Sequence, residues 1–420
     1  MTEPLWRSRR DAFELLPATE VRRRKINDFI HLSEGLSNSY LIVTAEGRII
    51  VNTGMGFETP VHKEYYDSIS DLPVRYILLT QGHVDHVGGI DQLRQEGTQV
   101  IAQANIDTQQ AYDERLGTFR ASRSYFAFAR PIEQAIDHAM RISGGTIPAQ
   151  SKAEPTIAFE DRYGFELGGI EIELIAVSGA ETEDSMLIWL PQHRICFTGN
   201  VFGALFGHFP NLITIRGDRY RDALRYVETL DVLIDLAPET LLVGHFDPVH
   251  GRDVIRGELE RMRAAVLHVH DAVVAGMNAG TDVWTLMREV RLPPELEVGE
   301  GYGKIAWSVR AIWEYYAGWF HHRSTTELYG IPPTSVDADL VELAGGPSAL
   351  AARAGEHLAA GRPVEALHLA EIGLRVDAED RKCGEVCLRA HRSLLAASVN
   401  FWESRWLENR IAELERASSA

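Results

Sequence analysis

Thr80-Gln81-Gly82-His83-Val84-Asp85-His86-Val87-Gly88-Gly89 is the stretch whose reading decides this chain. It follows Tyr76-Ile77-Leu78-Leu79, an apolar run of strand length, and leads into Ile90-Asp91-Gln92-Leu93, which reads as the start of a helix. His83, Asp85 and His86 therefore sit on a tight turn at the carboxyl end of a strand. Open α/β sheets place their sites there. Imidazole nitrogen and carboxylate oxygen together suit zinc or another borderline divalent metal. The competing reading is a solvated polar turn that happens to hold two histidines. It requires the Asp-His pair, the offset histidine and the glycine exit to coincide by chance.

Working outward, Asn38 to Val43 and Arg48 to Val51 read as two strands of a hairpin whose turn holds Glu46-Gly47. The second runs into Asn52-Thr53-Gly54-Met55-Gly56, a turn expected to lie against the metal-binding one. Residues 60–69 and 91–96 read as helices, and 74–80 and 99–102 as strands. Strand texture returns at 156–159, 165–167, 170–175, 186–190, 194–197 and 240–243. Two sets of strands with helices outside predict an α/β protein, an αββα sandwich. Residues 1–28, rich in Arg and Glu, read as an irregular or helical arm. The stretch 103–155 interrupts the rhythm and carries Arg120, Arg123, Tyr125, Phe126, Phe128 and Arg130. It reads as a helical insertion, either lying over a pocket or forming a solvated helix pair.

Beyond Gly251 the pattern turns helical. Val254, Leu259, Met262, Val266 and Val273 fall at helical intervals, and 304–320 is a helix heavy with Trp307, Trp313, Tyr315, Tyr316 and Trp319. Such an aromatic face needs a large partner, for which a second subunit is one candidate. Residues 348–394 read as one and a half helical hairpins.

At 420 residues, two domains or one large domain with an extension is the expectation. A formal net charge of −18 argues against nucleic acid, where neutralising phosphate dominates binding. Cys196, Cys383 and Cys387 make no disulfide framework. No stretch approaches a membrane span and the first residues carry no apolar leader, so a cytoplasmic enzyme without membrane contact is expected.

Three ligands leave a metal site short. His245, in Val243-Gly244-His245-Phe246-Asp247, stands directly after a strand and is the strongest addition. The carboxylate-rich segment Ser178 to Asp184 offers Glu181, with Glu183 and Asp184 as competitors. His31, His193, His208, His268 and His270 have no such setting.

These motifs resemble the metallo-β-lactamase superfamily, and the body of the chain resembles its alkylsulfatase branch over about residues 30–400. The superfamily pattern His-x-His-x-Asp-His reads here Gln81-Gly82-His83-Val84-Asp85-His86. Asn52-Thr53-Gly54 stands where Asp-Thr-Gly is usual. The alkylsulfatase resemblance implies Glu181 as a ligand and Asn211 and Arg216 as contacts for an anionic group. It also implies a catalytic domain over 1–252, containing the insertion at 103–155, and a helical dimerisation domain over 253–420, hence a homodimer. Two departures stand out. Gln81 replaces the first histidine, and Gly199 stands where a bridging carboxylate is expected. Some β-lactamases of the superfamily resemble this arrangement.

The resulting expectation is a zinc-dependent hydrolase with one or two ions, another divalent metal being the alternative. Asp85, His86 and His245 would hold the primary ion, with Asp85 and His245 central to catalysis. Gln81, His83 and Glu181 would surround a second. Asn211, Arg216 and Tyr125 would contact an anionic small molecule, first of all a sulfate ester. Hydrolysis of another ester, an ether, a lactone or an amide such as a β-lactam is the alternative. A degenerate metal-binding scaffold is the reading from a different class.

Overall fold

Ile49-Ile50-Val51 and Ile77-Leu78 are apolar without alternation because their sheet is covered on both faces. A computed structural model describes residues 3–419. The first sheet runs in chain order through β1 (Arg23–Lys25), β2 (Ile30–Glu34), β3 (Asn38–Thr44), β4 (Gly47–Val51), β5 (Val74–Leu78), β6 (Gln99–Gln103) and β7 (Ile157–Phe159). It is antiparallel as far as β4 and parallel from β4 to β7. The second sheet holds β8 (Arg162–Leu167), β9 (Ile170–Ala176), β10 (Met186–Leu190), β11 (Ile195–Gly199), β12 (Thr240–Val243) and β13 (Val249–His250), again in sequential order. Only β11 and β12 pair in parallel there.

Ile30, Leu32, Ile42, Ile49 and Leu78 of the first sheet meet Ile172, Leu174, Ile188, Phe197 and Leu242 of the second in one buried core. Outside the first sheet, Leu41, Ile50 and Ile77 pack with Tyr66, Ile90 and Leu93 from helices. Outside the second, Leu187, Trp189 and Leu241 pack under helices Ala223–Leu236, Arg252–Asn278 and Ile305–Ala317. The result is the expected αββα sandwich.

Helix Arg252–Asn278 buries Ile255, Leu259, Met262, Val266, Val269 and Val273, one apolar stripe, in the core of the second sheet's outer layer. That places a compact-unit boundary later than the expected 252/253. The units are residues 1–316 and 317–420. The aromatic helix likewise serves the first unit: Ile305, Val309 and Ile312 are buried in that same core, while Tyr315 and Tyr316 are exposed. In the second unit, Ala351, Ala354, Ala366 and Ala370 let helices Pro347–Ala359, Pro363–Val376 and Arg381–Ala397 approach closely. Those are the expected one and a half hairpins, extended by helices Asp337–Ala344 and Phe401–Ser419. Cys383 and Cys387 are buried free thiols in that core.

The basic arm takes the irregular form of the two expected, and it is held in place. It makes three short 3₁₀ turns and strand β1. Its arginines converge on Glu34 at the buried end of β2: Arg10 reaches both carboxylate oxygens at 2.8 and 2.9 Å, Arg24 one at 2.7 Å, and Arg22 also pairs there. Arg10 and Arg24 also grip Asp247 at 3.0 and 2.6 Å, tying the arm to the loop after β12. Three guanidinium groups around one buried carboxylate depend on its charge. Glu34→Gln is expected to cost about 3–5 kcal/mol, read as a lower urea midpoint at unchanged slope.

Candidate metal centre

The site forms where the two sheets are bonded to each other, at the edge where β5 and β12 finish and β3 and β10 begin. Met186 N–H donates to Thr80 O at 2.9 Å, and Asn38 N–H donates to Gly244 O at 2.7 Å. The Asn38 side-chain amide also donates to Val243 O (2.9 Å) and Phe246 O (2.8 Å), and the Tyr40 hydroxyl to Val243 O (2.7 Å). The turn carrying His245 is thereby fastened over the turn carrying His83 to His86. Phe246 sits there at φ +61°, a conformation costly for a bulky residue and held by these bonds.

The 52–56 turn does lie against the motif. Thr53 N–H and Oγ1–H both donate to His86 O, at 2.8 and 3.0 Å, and Asn52 accepts from Thr80 N–H at 2.9 Å. The glycine exit follows from this closeness, since a Cβ on Gly89 would lie 2.7 Å from Thr53 O.

Asp85, His86 and His245 each present one ligand atom, and these atoms lie within 4.8 Å of one another. Asp85 Oδ2 is 3.5 Å from His86 Nε2 and 3.8 Å from His245 Nε2. His245 Nδ1–H donates to Leu36 O at 2.8 Å, which leaves Nε2 as the lone-pair nitrogen. Neither nitrogen of the buried His86 has a hydrogen bond of good geometry, although the Asn200 side chain lies beside the ring. An orphaned imidazole, a carboxylate and a second lone-pair imidazole together make a donor set that could hold a metal ion. Burial pushes His245 down to about 4 and lowers His86 as well, so both are in the neutral form that ligates. Burial works against ionisation of Asp85, yet the imidazoles of His86, His245 and His83 prevail and hold it below the usual carboxylate range.

The second half is built differently. Gln81 is buried, accepts from Asn200 N–H at 3.2 Å and places its amide nitrogen 2.6 Å from His83 Nδ1. Glu181 Oε1 lies 4.0 Å from that same nitrogen, and Oε2 pairs with Arg221 at 2.8 Å. Burial outweighs Arg221 and raises Glu181 to about 7. Among its competitors, Glu183 is exposed and the Asp184 carboxylate is buried beneath Gly82. Gly199 is not the position facing the centre. It has φ +51°, and a Cβ there would come within 2.7 Å of Thr80 Cβ, so the neighbouring Asn200 presents its side chain to His86 instead.

Arg216 approaches Asp218 at 3.9 Å, and its positive charge disfavours protonation of both His83 and Glu181. Asn211 is buried nearby, its carbonyl accepting from Arg221 at 2.7 Å. Tyr125 is not brought in. It is exposed on helix Gly117–Ile142 and bonds to Glu133 of its own helix. That helix reaches the site loop through Arg123, which donates to Ile215 O and Arg216 O at 2.7 Å each, and through Arg120, paired with Asp113 and Asp218. Asn38 and Arg221 have no motif spacing that would have picked them out, whereas Arg123 stands among the cations of the insertion and Asn200 directly after Gly199.

Glu58 supports the turn from behind, accepting from Ala18 N–H (2.8 Å) and Leu36 N–H (3.0 Å). Burial pushes its carboxyl up to about 7. A raised folded-state value favours the protonated form, so this group's stability is full below the unfolded value near 4.5 and is lost as pH rises through 7. Glu58→Gln should flatten that decline, worth on the order of 3 kcal/mol, in urea titrations at about pH 5 and pH 8. Asn38→Leu, which strands Phe246 O and takes one of two donors from Val243 O, should lower stability by about 1–3 kcal/mol and loosen metal retention through His245, measured by dialysis and elemental analysis.

A family described as the metallo-beta-lactamase superfamily matches residues 32–245, and one described as alkyl sulfatase dimerisation matches residues 284–415. A linear primary-alkylsulfatase of Pseudomonas sp. is 29% identical over 392 residues, covering 89% of this chain and 73% of its own length. An alkyl/aryl-sulfatase of Saccharomyces cerevisiae is 25% identical over 406 residues, covering 91% and 62%. The solved structure of the stereoselective inverting sec-alkylsulfatase Pisa1 from Pseudomonas sp. superposes with TM-score 0.81 at 22% identity, over 94% of this chain and 66% of that one.

Proposed function

This chain belongs to the metallo-beta-lactamase superfamily, and we propose that it is a metal-dependent hydrolase of sulfate esters, most simply with zinc at Asp85, His86 and His245. The observation that carries the reading is the convergence of those three ligand atoms, with Arg216 bearing on the adjoining half of the site. The named relatives are alkylsulfatases. A bound zinc ion supplies a Lewis acid and acidifies water toward neutral pH.

The chain's own residues do the rest. Leu36 O fixes the His245 tautomer, so its Nε2 faces the centre. Asp85 contributes one negative charge among neutral imidazoles and orients what lies against it. Arg216, with its loop clamped by Arg123, offers a planar fork to an anionic sulfate, and Asn211 lies on the same loop. Arg221 pins Glu181 beside them. Water attack on the ester then releases an alcohol and hydrogen sulfate.

The match over residues 284–415 supports a homodimer built on the helical unit, whose Leu328, Tyr329, Ile331, Leu340 and Leu343 are exposed. Among the described residues no helix is long and apolar enough to cross a membrane.

Sulfate release from a linear alkyl sulfate, followed by ion chromatography, tests the reading. Turnover should vanish after chelator dialysis and return with zinc. His245→Ala should lose more than the ~10–100-fold typical of an outer-sphere change. Turnover of a lactone or carboxylic ester without any sulfate release would transfer the assignment to those substrates.

A further inference from the structure

We propose that this site holds a single metal ion, because a Gln81–His83 hydrogen bond occupies the place of a second. The inference rests on the reading of Asp85, His86 and His245 as the ligands of the first ion. Two-metal hydrolases hold their ions about 3.5–4 Å apart and need anionic ligands around and between them. In this chain the residues available for a second ion are Gln81, His83 and Glu181, of which Gln81, His83 Nδ1 and Glu181 Oε2 are already bonded, while His83 Nε2 is buried without a partner.

The direction of the Gln81 amide decides the matter. Its Oε1 accepts the backbone N–H of Asn200 at 3.2 Å. An N–H can only donate, so the oxygen end is assigned by its partner and the NH₂ end faces His83. The Gln81 Nε2 to His83 Nδ1 distance of 2.6 Å makes the amide a donor into that ring nitrogen. A nitrogen whose lone pair accepts a hydrogen bond has none left for a cation, and His83 is held as the Nε2–H tautomer. Rotating the amide to offer its oxygen would break the Asn200 bond inside a buried site.

The remaining partners are consistent with closure. Glu181 has one oxygen committed to Arg221, whose guanidinium neutralises the carboxylate that a second cation would need. On the other side, the side chain beside His86 is that of Asn200, an amide without charge. Gly199 next to it has no room for a side chain against Thr80. Among the described residues, Asp85, His86 and His245 are the one convergent group of three or more His, Cys, Asp or Glu. Two neutral amide side chains, that of Gln81 tied to the Asn200 backbone N–H, stand where a ligand and a bridging charge would otherwise be.

The test is metal content of the full chain by elemental analysis, with a zinc titration followed to saturation. The parent is expected to saturate at one zinc per chain, Asp85→Ala at none, and Gln81→His at two, with circular dichroism confirming that each variant is folded. Saturation of the parent at two ions overturns this inference while leaving the hydrolase reading intact. A folded Gln81→His that stays at one ion also overturns it, since Gln81 would not be what closes the second place. A folded parent that binds no zinc overturns both this inference and the metal-site reading beneath it. Should Gln81→His fail to fold, the parent's saturation point decides alone. As a readout independent of turnover, ¹⁵N NMR of the His83 ring should show an Nε2–H tautomer unchanged on zinc loading. A metal-induced shift at Nδ1 would refute it.

Discussion

The rest of the structure depends on hydrogen bonds that join the two sheets at one end. Sheets in a sandwich are held by side-chain packing and are free to slide by small amounts. A site assembled from both cannot tolerate that. Met186 to Thr80 and Asn38 to Gly244 bond backbone to backbone across the layers, and the Asn38 side chain adds two more carbonyls. His86 from the first sheet and His245 from the second then stand with ring centroids 5.8 Å apart. Low dielectric around this end makes each bond costly to lose, so the same polar network that positions the ligands also sets the register of the sheets.

Charge is handled the same way on either side of the centre. On one side, Glu34 and Asp247 are gripped by arginines of the N-terminal arm, so the loop after His245 is bound to the start of the chain. On the other, Arg120 and Arg216 meet Asp218 while Arg221 meets Glu181. Buried ions of this kind seldom add much net stability, because desolvation offsets their attraction. What they do is hold loops whose backbone has few ladder bonds. The insertion at 103–155 is best understood in those terms: its Arg123 fixes the carbonyls of Ile215 and Arg216, and its Tyr125 faces solvent.

The two halves of the centre differ in what they ask of water and metal. One half offers a carboxylate and two neutral imidazoles with no strong competing partners. The other is largely engaged internally, with an amide donating to His83 Nδ1 and a guanidinium covering a carboxylate, and with His83 Nε2 left without a partner. Satisfied polar groups resist rearrangement, whereas orphaned ones invite a ligand. That difference, rather than residue type alone, separates the two.

Much was legible without coordinates. The strand, turn and glycine pattern around His83 to His86 is local, and so is the position of His245 directly after a strand; periodicity and turn chemistry report such features well. The αββα layering follows from two runs of strands interleaved with helices. The extent of the first compact unit was not legible, because an apolar helical stripe such as Ile255 to Val273 looks the same whether it packs on a sheet or on another helix. Nor was the role of Asn38, Asn200, Arg221 or Arg123, each a common polar residue whose partner lies far away in sequence. Tyr125 shows the converse, an aromatic on an insertion that composition suggests for a pocket and packing leaves outside. Residue type and order already identify the side chains chemically able to hold a metal and the strand ends that carry them. Only the tertiary structure decided which way the Gln81 amide points and where Gly199 directs its missing side chain, because hydrogen-bond direction and steric room exist only once the two sheets have met.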